Sequence, residues 1–395
     1  MKNVNLNSKI TPAHRVSNIK EYYFSKKLRE IAKLDAAGQD IISLGIGGPD
    51  QPPHTDVVDV LCSEAKKSNT HGYQPYIGLP ELREAYAKWY ETYYGVALNP
   101  STEIQPLIGS KEGILHTTLA FINPGDGVLV PNPGYPTYSS VSNLAEAKIY
   151  NYDLLENNNW EPDFNALESL PLDNIKLMWV NYPNMPTGAR ASKELFQKII
   201  DFGKKHNIVI VNDNPYSFIL HEAPISILSI PGAKDIAIEM NSLSKSHNMA
   251  GWRMGMLASN PTFIEWILKV KSNIDSGQFK PMMLAAVKAL QATPDWYEKV
   301  NDVYKKRRVI AEKIMELLNC HFDPSQGGLF LWGRIPDSYD GSEALSDKML
   351  YDAKVFITPG FIFGSNGNRY IRISLCTTEQ KMEEAYNRIS KMLNK

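Results

Sequence analysis

The chain has 395 residues, 43% hydrophobic and 22% charged, with a formal charge of -1 at pH 7. That length buries a sizeable core, in two domains or in one large α/β unit with an appendage. The balance excludes a disordered chain and lacks the basic excess of a nucleic-acid binder, so small molecules or further copies of the chain are the expected partners. In chain order, the opening MKNVNLNSKITPAHRV lacks the apolar stretch of a signal peptide. KEYYFSKKLREIAKLDAA predicts a helix over residues 20 to 37 ended by Gly38, and PELREAYAKWYETYYG a second with Leu82, Tyr86, Trp89 and Tyr93 on one face, between Pro80 and Gly95. IGSKEG puts Gly109 and Ser110 at a helix start ahead of GILHTTLAFI.

Short apolar runs then alternate with helical patterns: GVLVP, AKIYNY, IKLMWVNY, the helical SKELFQKIIDFGKKHN, IVIVND and DIAIEMNS. Runs as uniformly apolar as KLMWV and IVIV suit strands covered on both faces, and their alternation with helices predicts an α/β fold with a mostly parallel sheet in a three-layer αβα arrangement. After about residue 260 the pattern turns to long helices, PTFIEWILKVKSNI, PMMLAAVKALQA and YEKVNDVYKKRRVIAEKIMELLN. GGLFLWGRIP, VFITPG and YIRISL then read as strands closed by the helix TEQKMEEAYNRISKMLNK. A smaller α+β domain drawn from the two chain ends is expected: 1–45 as an N-terminal arm and part of it, 46–285 as the large domain, 286–395 as the rest. Cys62, Cys320 and Cys376 form no CxxC pair, which argues against a disulfide framework or a structural metal and for a reduced compartment. No apolar run reaches membrane-spanning length, so a soluble cytoplasmic protein that binds neither membrane nor nucleic acid is expected.

In open α/β sheets ligands gather beyond the carboxyl ends of the strands, and there the sequence sets NDNPYSF with Asp213 and Tyr216, PNPGYPTY with Tyr135, and NSLSKSHNMAGWRMG with Ser242, Lys245 and Arg253. Singly, each has a plainer reading: Lys245 as a solvated amine, Asp213 as a turn cap, Tyr135 and Tyr216 as packing, Gly109 and Ser110 as an ordinary helix start. Together they list the partners of one cofactor. A lysine condenses with an aldehyde when its amine is partly neutral. Ser110, Ser242 and Arg253 suit a phosphate, an aspartate keeps a pyridine nitrogen protonated, and a tyrosine hydroxyl bonds a ring phenolate. Aldehyde, phosphate, pyridinium and phenolate describe pyridoxal 5'-phosphate (PLP).

On these motifs the sequence resembles, over nearly its whole length, the class I/II aminotransferases of PLP fold type I, the aspartate aminotransferase superfamily. HGYQPYIGLPELREA is similar to the family segment whose tyrosine, here Tyr73, reaches the phosphate of the neighbouring subunit. PNPGYPTY is similar to the one whose aromatic, Tyr135, stacks on the ring, and NDNPY to the Asp-x-x-Tyr pair. SLSKSHNMAGWRMG is similar to the Ser-x-x-Lys with an arginine eight residues beyond the lysine, YIRIS to the element whose arginine, Arg372, holds the substrate α-carboxylate, and GIGGPD to the one whose glycine, Gly47, approaches that carboxylate. The resemblance implies a homodimer with shared active sites and Gly109, Ser110 and Lys111 at the phosphate. It also implies Lys245 in a Schiff base with the cofactor, with Lys245, Asp213 and Tyr216 as the catalytic set. The expected reaction is ping-pong transfer of an amino group between an L-amino acid and a 2-oxo acid.

One position departs from the pattern. The family carries asparagine directly before Pro-Thr-Gly, donating to the ring phenolate, whereas NYPNMPTGA has Met185 there, and a thioether donates no hydrogen bond. Either Asn181 or Asn184 supplies the donor through an altered loop path, or Tyr216 holds the phenolate alone and the Schiff base pKa rises. The second is expected. The same residues would also serve a PLP-dependent carbon-sulfur β-lyase, a racemase or a decarboxylase, because the cofactor carries the electronic work. Ser242-x-x-Lys245 fits penicillin-binding enzymes too, but their Lys-Thr-Gly is absent. A cofactor-binding regulator would need a helix-turn-helix, and the stretch before ISLGIGGPD holds no convincing one.

Overall fold

The structure, a computed structural model, describes residues 11–17, 21–221 and 223–394. The first residues of the opening stretch and residue 20 of the predicted first helix therefore lie outside the described residues. A seven-stranded sheet runs in the order Ile104–Leu107, Gly255–Ala258, Ala237–Ser242, Val209–Asp213, Ile175–Val180, Gly127–Asn132, Lys148–Asp153. Gly255–Ala258 is antiparallel to both neighbours and every other pairing is parallel.

Side chains alternate across this sheet into two separate cores. Val128, Val130, Leu177, Trp179, Val209 and Val211 enter one, and Leu129, Met178, Val180 and Ile210 the other. A strand buried on both faces has no polar side to show, which is why IVIV and KLMWV are continuous apolar runs. Ser110–Phe121 and Pro261–Lys271 cover the first face and Lys193–His206 the second, giving the three-layer α/β arrangement. Lys193–His206 starts where Ser192 Oγ accepts from Leu195 N at 3.0 Å and stops at Asn207 in the left-handed region, φ 55°. Pro80–Tyr94 buries Leu82, Tyr86 and Trp89, as its spacing predicts, and also Tyr90 and Tyr94; Tyr93 is half-buried.

The chain ends meet. Ile42–Ser43 pairs in parallel with Val355–Phe356, and the helix Tyr23–Ala36 sets Ile31 against Leu350 and Phe356 while Lys27 Nζ reaches Asp347 Oδ1 at 3.0 Å. A second sheet runs Thr358–Pro359, Tyr370–Ser374, Phe330–Arg334, His321–Phe322, all antiparallel. VFITPG thus splits between two sheets, a division that its apolar pattern does not announce. Lys280–Ala289 is a continuous helix across the expected boundary at 285. Among the described residues no helix is long and apolar enough to cross a membrane.

Candidate active site

The carboxyl ends of the parallel strands face one cavity of about 580 Å³ between the two sheets. Ser110, Lys111, Tyr135, Met185, Asp213, Tyr216, Ser242, Lys245, Arg253, Gly47 and Arg372 all line it. Two expected residues do not. Gly109 lies behind the wall, at φ 73°, where a Cβ would collide with the Arg253 guanidinium; its bareness is what lets the arginine approach the start of Ser110–Phe121. Tyr73 is 95% exposed and outside its own chain's cavity, on a loop whose Tyr76 carbonyl accepts from Gln105 Nε2 at 3.0 Å.

At one end the cavity is a cup of hydroxyls and N–H groups. Ser110 opens its helix with its Oγ buried and without a partner. Ser242 Oγ accepts from Ser244 N at 3.1 Å and lies 2.8 Å from Ser244 Oγ, while Arg253 stands in the left-handed region, φ 56°, held by Nη1 to Ala250 O at 3.0 Å. The turn behind Ser110 is braced by Glu112, which accepts from Ile108 N and, at 2.7 Å, from Lys271 Nζ. Lys271 also reaches Asp275 at 2.6 Å, so the one cluster with metal-ligand spacing among the described residues, Glu112, His116 and Asp275, already surrounds an ammonium.

In the middle, Asp213 ends its strand fully enclosed. Its Oδ2 accepts from Tyr138 Oη at 2.9 Å and its Oδ1 has no partner, and burial raises the carboxyl from its ordinary value to about 6. Tyr138 is itself clamped by stacking on Trp179, with ring centroids 4.9 Å apart. Lys245 Nζ donates to Gly47 O at 2.6 Å. Burial, aided by the charges of Arg372 and Arg253, lowers its pKa, with Cys376 and Asp213 opposing. An amine whose charge is disfavoured by burial therefore stands just beyond a strand end, where a nucleophile and base is needed.

At the other end Arg372 is buried, with its guanidinium carbon 3.9 Å from the Phe330 ring centroid and 4.7 Å from that of Phe363. Nη2 donates to Gly45 O at 2.9 Å, Nη1 lies 3.3 Å from Met185 Sδ, and Nε has no partner. Burial without a counter-ion pulls its pKa down to about 10. The Gly45–Gly47 backbone is held by Thr358 Oγ1 donating to Gly45 O at 3.3 Å and Ser374 Oγ donating to Ile46 O at 2.6 Å, and a Cβ at Gly47 would strike the Phe330 ring. Met185 thus turns its sulfur to the arginine. Asn181 lines the cavity, but its Nδ2 donates to Asp213 O at 2.5 Å and its Oδ1 accepts from Met185 N at 2.8 Å. Asn184 is turned into the loop, accepting from Thr187 at 2.8 Å and donating to Asn181 O at 3.2 Å, and does not line the cavity.

Among the lining residues that sequence reasoning missed are Tyr138, Ser244, Tyr22 to Phe24 of the N-terminal segment, and Phe330 opposite them. Ser244 and Tyr138 sit inside the motifs already singled out, two residues from Ser242 and three from Tyr135.

The sequence model for "Aminotransferase class I and II" matches residues 39–389. The chain belongs to that family. Among curated relatives, this aminotransferase is 40% identical over 383 residues to the LL-diaminopimelate aminotransferase of Maridesulfovibrio salexigens, covering 96% of this chain and 98% of the relative. It is 39% identical over 380 residues to that of Aquifex aeolicus, covering 96% and 98%. Among solved structures, substrate-bound BacF of Bacillus subtilis superposes with a TM-score of 0.92 at 36% identity, covering 97% of this chain and 98% of that one. An aspartate aminotransferase mutant of Thermus thermophilus superposes at 0.90 with 23% identity, covering 97% and 100%, a likeness of fold. The enzyme is a PLP-dependent aminotransferase.

Proposed function

We propose that the cavity holds pyridoxal 5'-phosphate with its phosphate in the cup of Ser110, Lys111, Ser242, Ser244 and Arg253 and its pyridine nitrogen at Asp213. Tyr135 would lie against the ring and Tyr216 at the phenolate. The orphaned polar atoms support this fit. Ser110 Oγ at a helix start suits a phosphate, Asp213 Oδ1 a pyridinium, and Arg372 Nε a carboxylate. When bound, the cofactor supplies an aldehyde carbon and an electron-withdrawing ring. Arg372 fixes the amino-acid carboxylate and so orients the Cα–H bond toward Lys245. Lys245 Nζ would take the Cα proton as general base and return it to the carbon of the cofactor's aldehyde, a role that suits an amine whose charge is disfavoured by burial. Asp213, kept from solvent, stabilises positive charge at the ring nitrogen. The donor leaves as its 2-oxo acid before the acceptor enters, which makes the kinetics ping-pong.

The observation that carries this reading is the convergence of Lys245, Asp213 and Arg372 in one cavity with the hydroxyl cup. Borohydride reduction of cofactor-saturated protein followed by peptide mass mapping tests it. A pyridoxyl group on Lys245 is expected, and an unmodified Lys245 side chain overturns the assignment.

Met185 should show in the spectrum. With Asn181 and Asn184 both engaged in the loop, Tyr216 is the remaining donor to the phenolate. Met185→Asn is therefore expected to lower the pH at which the bound cofactor's visible absorbance titrates by about one pH unit, the value of one hydrogen bond to a charged group. A titration midpoint that stays put or rises refutes the single-donor reading.

The full exposure of Tyr73 in a single chain supports a homodimer in which Tyr73 completes the phosphate cup of the other subunit. Tyr73→Phe is expected to weaken cofactor affinity by about tenfold or more, in line with one hydrogen bond to a charged group, in a protein that sediments as a dimer. A fully active monomer excludes the arrangement. A reducing setting such as the cytoplasm is supported by three free thiols, Cys62, Cys320 and Cys376. The division into 1–45, 46–285 and 286–395 is proposed with its second boundary moved out of the helix Lys280–Ala289.

A further inference from the structure

The chamber beyond Arg372 differs in chemistry from the rest of the cavity. Its walls are Tyr23, Phe24, Leu28, Ile46, Ile362 and Phe363, brought together by the N-terminal helix, the 44–48 segment and the 360–363 turn. The walls are braced by ring contacts. Tyr23 meets Phe361 edge-on at 5.1 Å, Phe24 meets Phe356 at 6.3 Å and Trp332 meets Phe363 at 6.0 Å. The charged side chains that line the whole cavity are Lys111, Asp213, Lys245, Arg253 and Arg372, and each already has a task at the phosphate, the ring or the α-carboxylate.

Nearby charges outside the lining are neutralised. Lys27, 5.6 Å from the Tyr23 ring centroid, is held at 3.0 Å by both Glu30 and Asp347. The exposed loop that carries Tyr73, read THGYQPYI over Thr70 to Ile77, contains no carboxylate, lysine or arginine and has the His71 imidazole as its basic group, so a neighbouring subunit's copy of it would bring no permanent counter-charge. The wall's one buried unpartnered polar atom is Tyr23 Oη, a neutral group that cannot balance an ion. An α-amino acid held by Arg372 with a second charge on its side chain would lay that charge unpaired against hydrocarbon, at a heavy desolvation cost, whereas an apolar side chain gains from burial there.

We propose that the amino donor of this enzyme is an L-amino acid with an uncharged, apolar side chain, aromatic or branched, rather than one with a second ionic group such as diaminopimelate. The inference rests on the aminotransferase reading and on Arg372 as the α-carboxylate site, and it separates this chain from what the names of its LL-diaminopimelate relatives describe.

The test mixes the holoenzyme with single donors and follows the loss of the cofactor's visible absorbance. L-phenylalanine and L-leucine are expected to react with second-order rate constants at least about tenfold above those of LL-diaminopimelate and L-glutamate, the scale of discrimination that side-chain pockets reach. Equal or faster reaction with the charged donors overturns the inference and leaves the aminotransferase assignment standing. No reaction with any donor removes both. A second readout needs no turnover: 3-phenylpropionate should raise the holoenzyme's melting temperature more than glutarate does, and the reverse order counts against an apolar chamber. Leu28→Arg, on a helix face with 36% exposure that tolerates a long cation, should shift the phenylalanine-to-glutamate ratio toward glutamate by about tenfold. An unchanged ratio shows that this wall does not read the side chain.

Discussion

Lys245→Ala is expected to slow amino transfer by about 10²- to 10⁴-fold, the range of a well-placed general base, and to leave the fold intact. The side chain makes one hydrogen bond, to Gly47 O, and burial already disfavours its charge, so the apoprotein loses little when it is removed. Lys245→Arg separates base from charge. Guanidinium keeps the positive charge and much of the reach but does not give up its proton near neutrality, so this variant should be about as slow as the alanine one. Single-turnover absorbance measurements with a saturating donor check both, with thermal denaturation of the cofactor-free proteins as the control for folding. An arginine variant that retains more than about a tenth of the wild-type rate, well above the loss a missing base produces, would mean that Lys245 acts by charge alone and that the base lies elsewhere.

The parts of this site that could be read from sequence are those for which one local segment supplies both backbone geometry and chemistry. Ser242 and Lys245 share a strand end and the short helix after it, Asp213 is the last residue of an apolar strand, and Ser110 opens a helix whose start needs a hydrogen-bonding residue in any case. Apolar runs such as IVIV imply a sheet covered on both faces without reference to what covers it. The apolar chamber could not be read this way. Tyr23 to Leu28 look like any amphipathic turn, and their place in the cavity is set by Ile31 against Leu350 and Phe356 and by Lys27 bonded to Asp347, 320 residues away. Met185 was visible as a departure, but not where its sulfur would go. Its approach to Arg372 goes with Asn181 accepting from Met185 N, so a residue that the sequence offered as a substitute donor is spent on holding the loop.

Asp213→Asn should make the cofactor-free protein more stable above neutrality while cutting turnover by about 10³-fold, the scale of losing one preorganised charge at a reacting centre. The folded carboxyl titrates near 6 against an ordinary value of 3.8, so between those pH values the folded state keeps a proton that the unfolded chain has released. Stability of the apoprotein therefore falls as pH rises from about 4 through 6. Above that the penalty is constant, at roughly 3 kcal/mol for a difference of about two pH units. Asparagine carries no charge to desolvate and still accepts from Tyr138, so the variant's urea midpoint should exceed that of wild type at pH 8 and match it at pH 4. Cofactor reverses the order, because a pyridinium beside Asp213 pairs the buried charge and an amide does not. Wild type should thus gain more stability from cofactor than the variant does, and its carboxyl should stay ionised to lower pH in the holoenzyme. Equal apoprotein midpoints at pH 8, or equal stabilisation of both proteins by cofactor, would show that the residue pays no penalty for its burial and makes no ion pair at the ring.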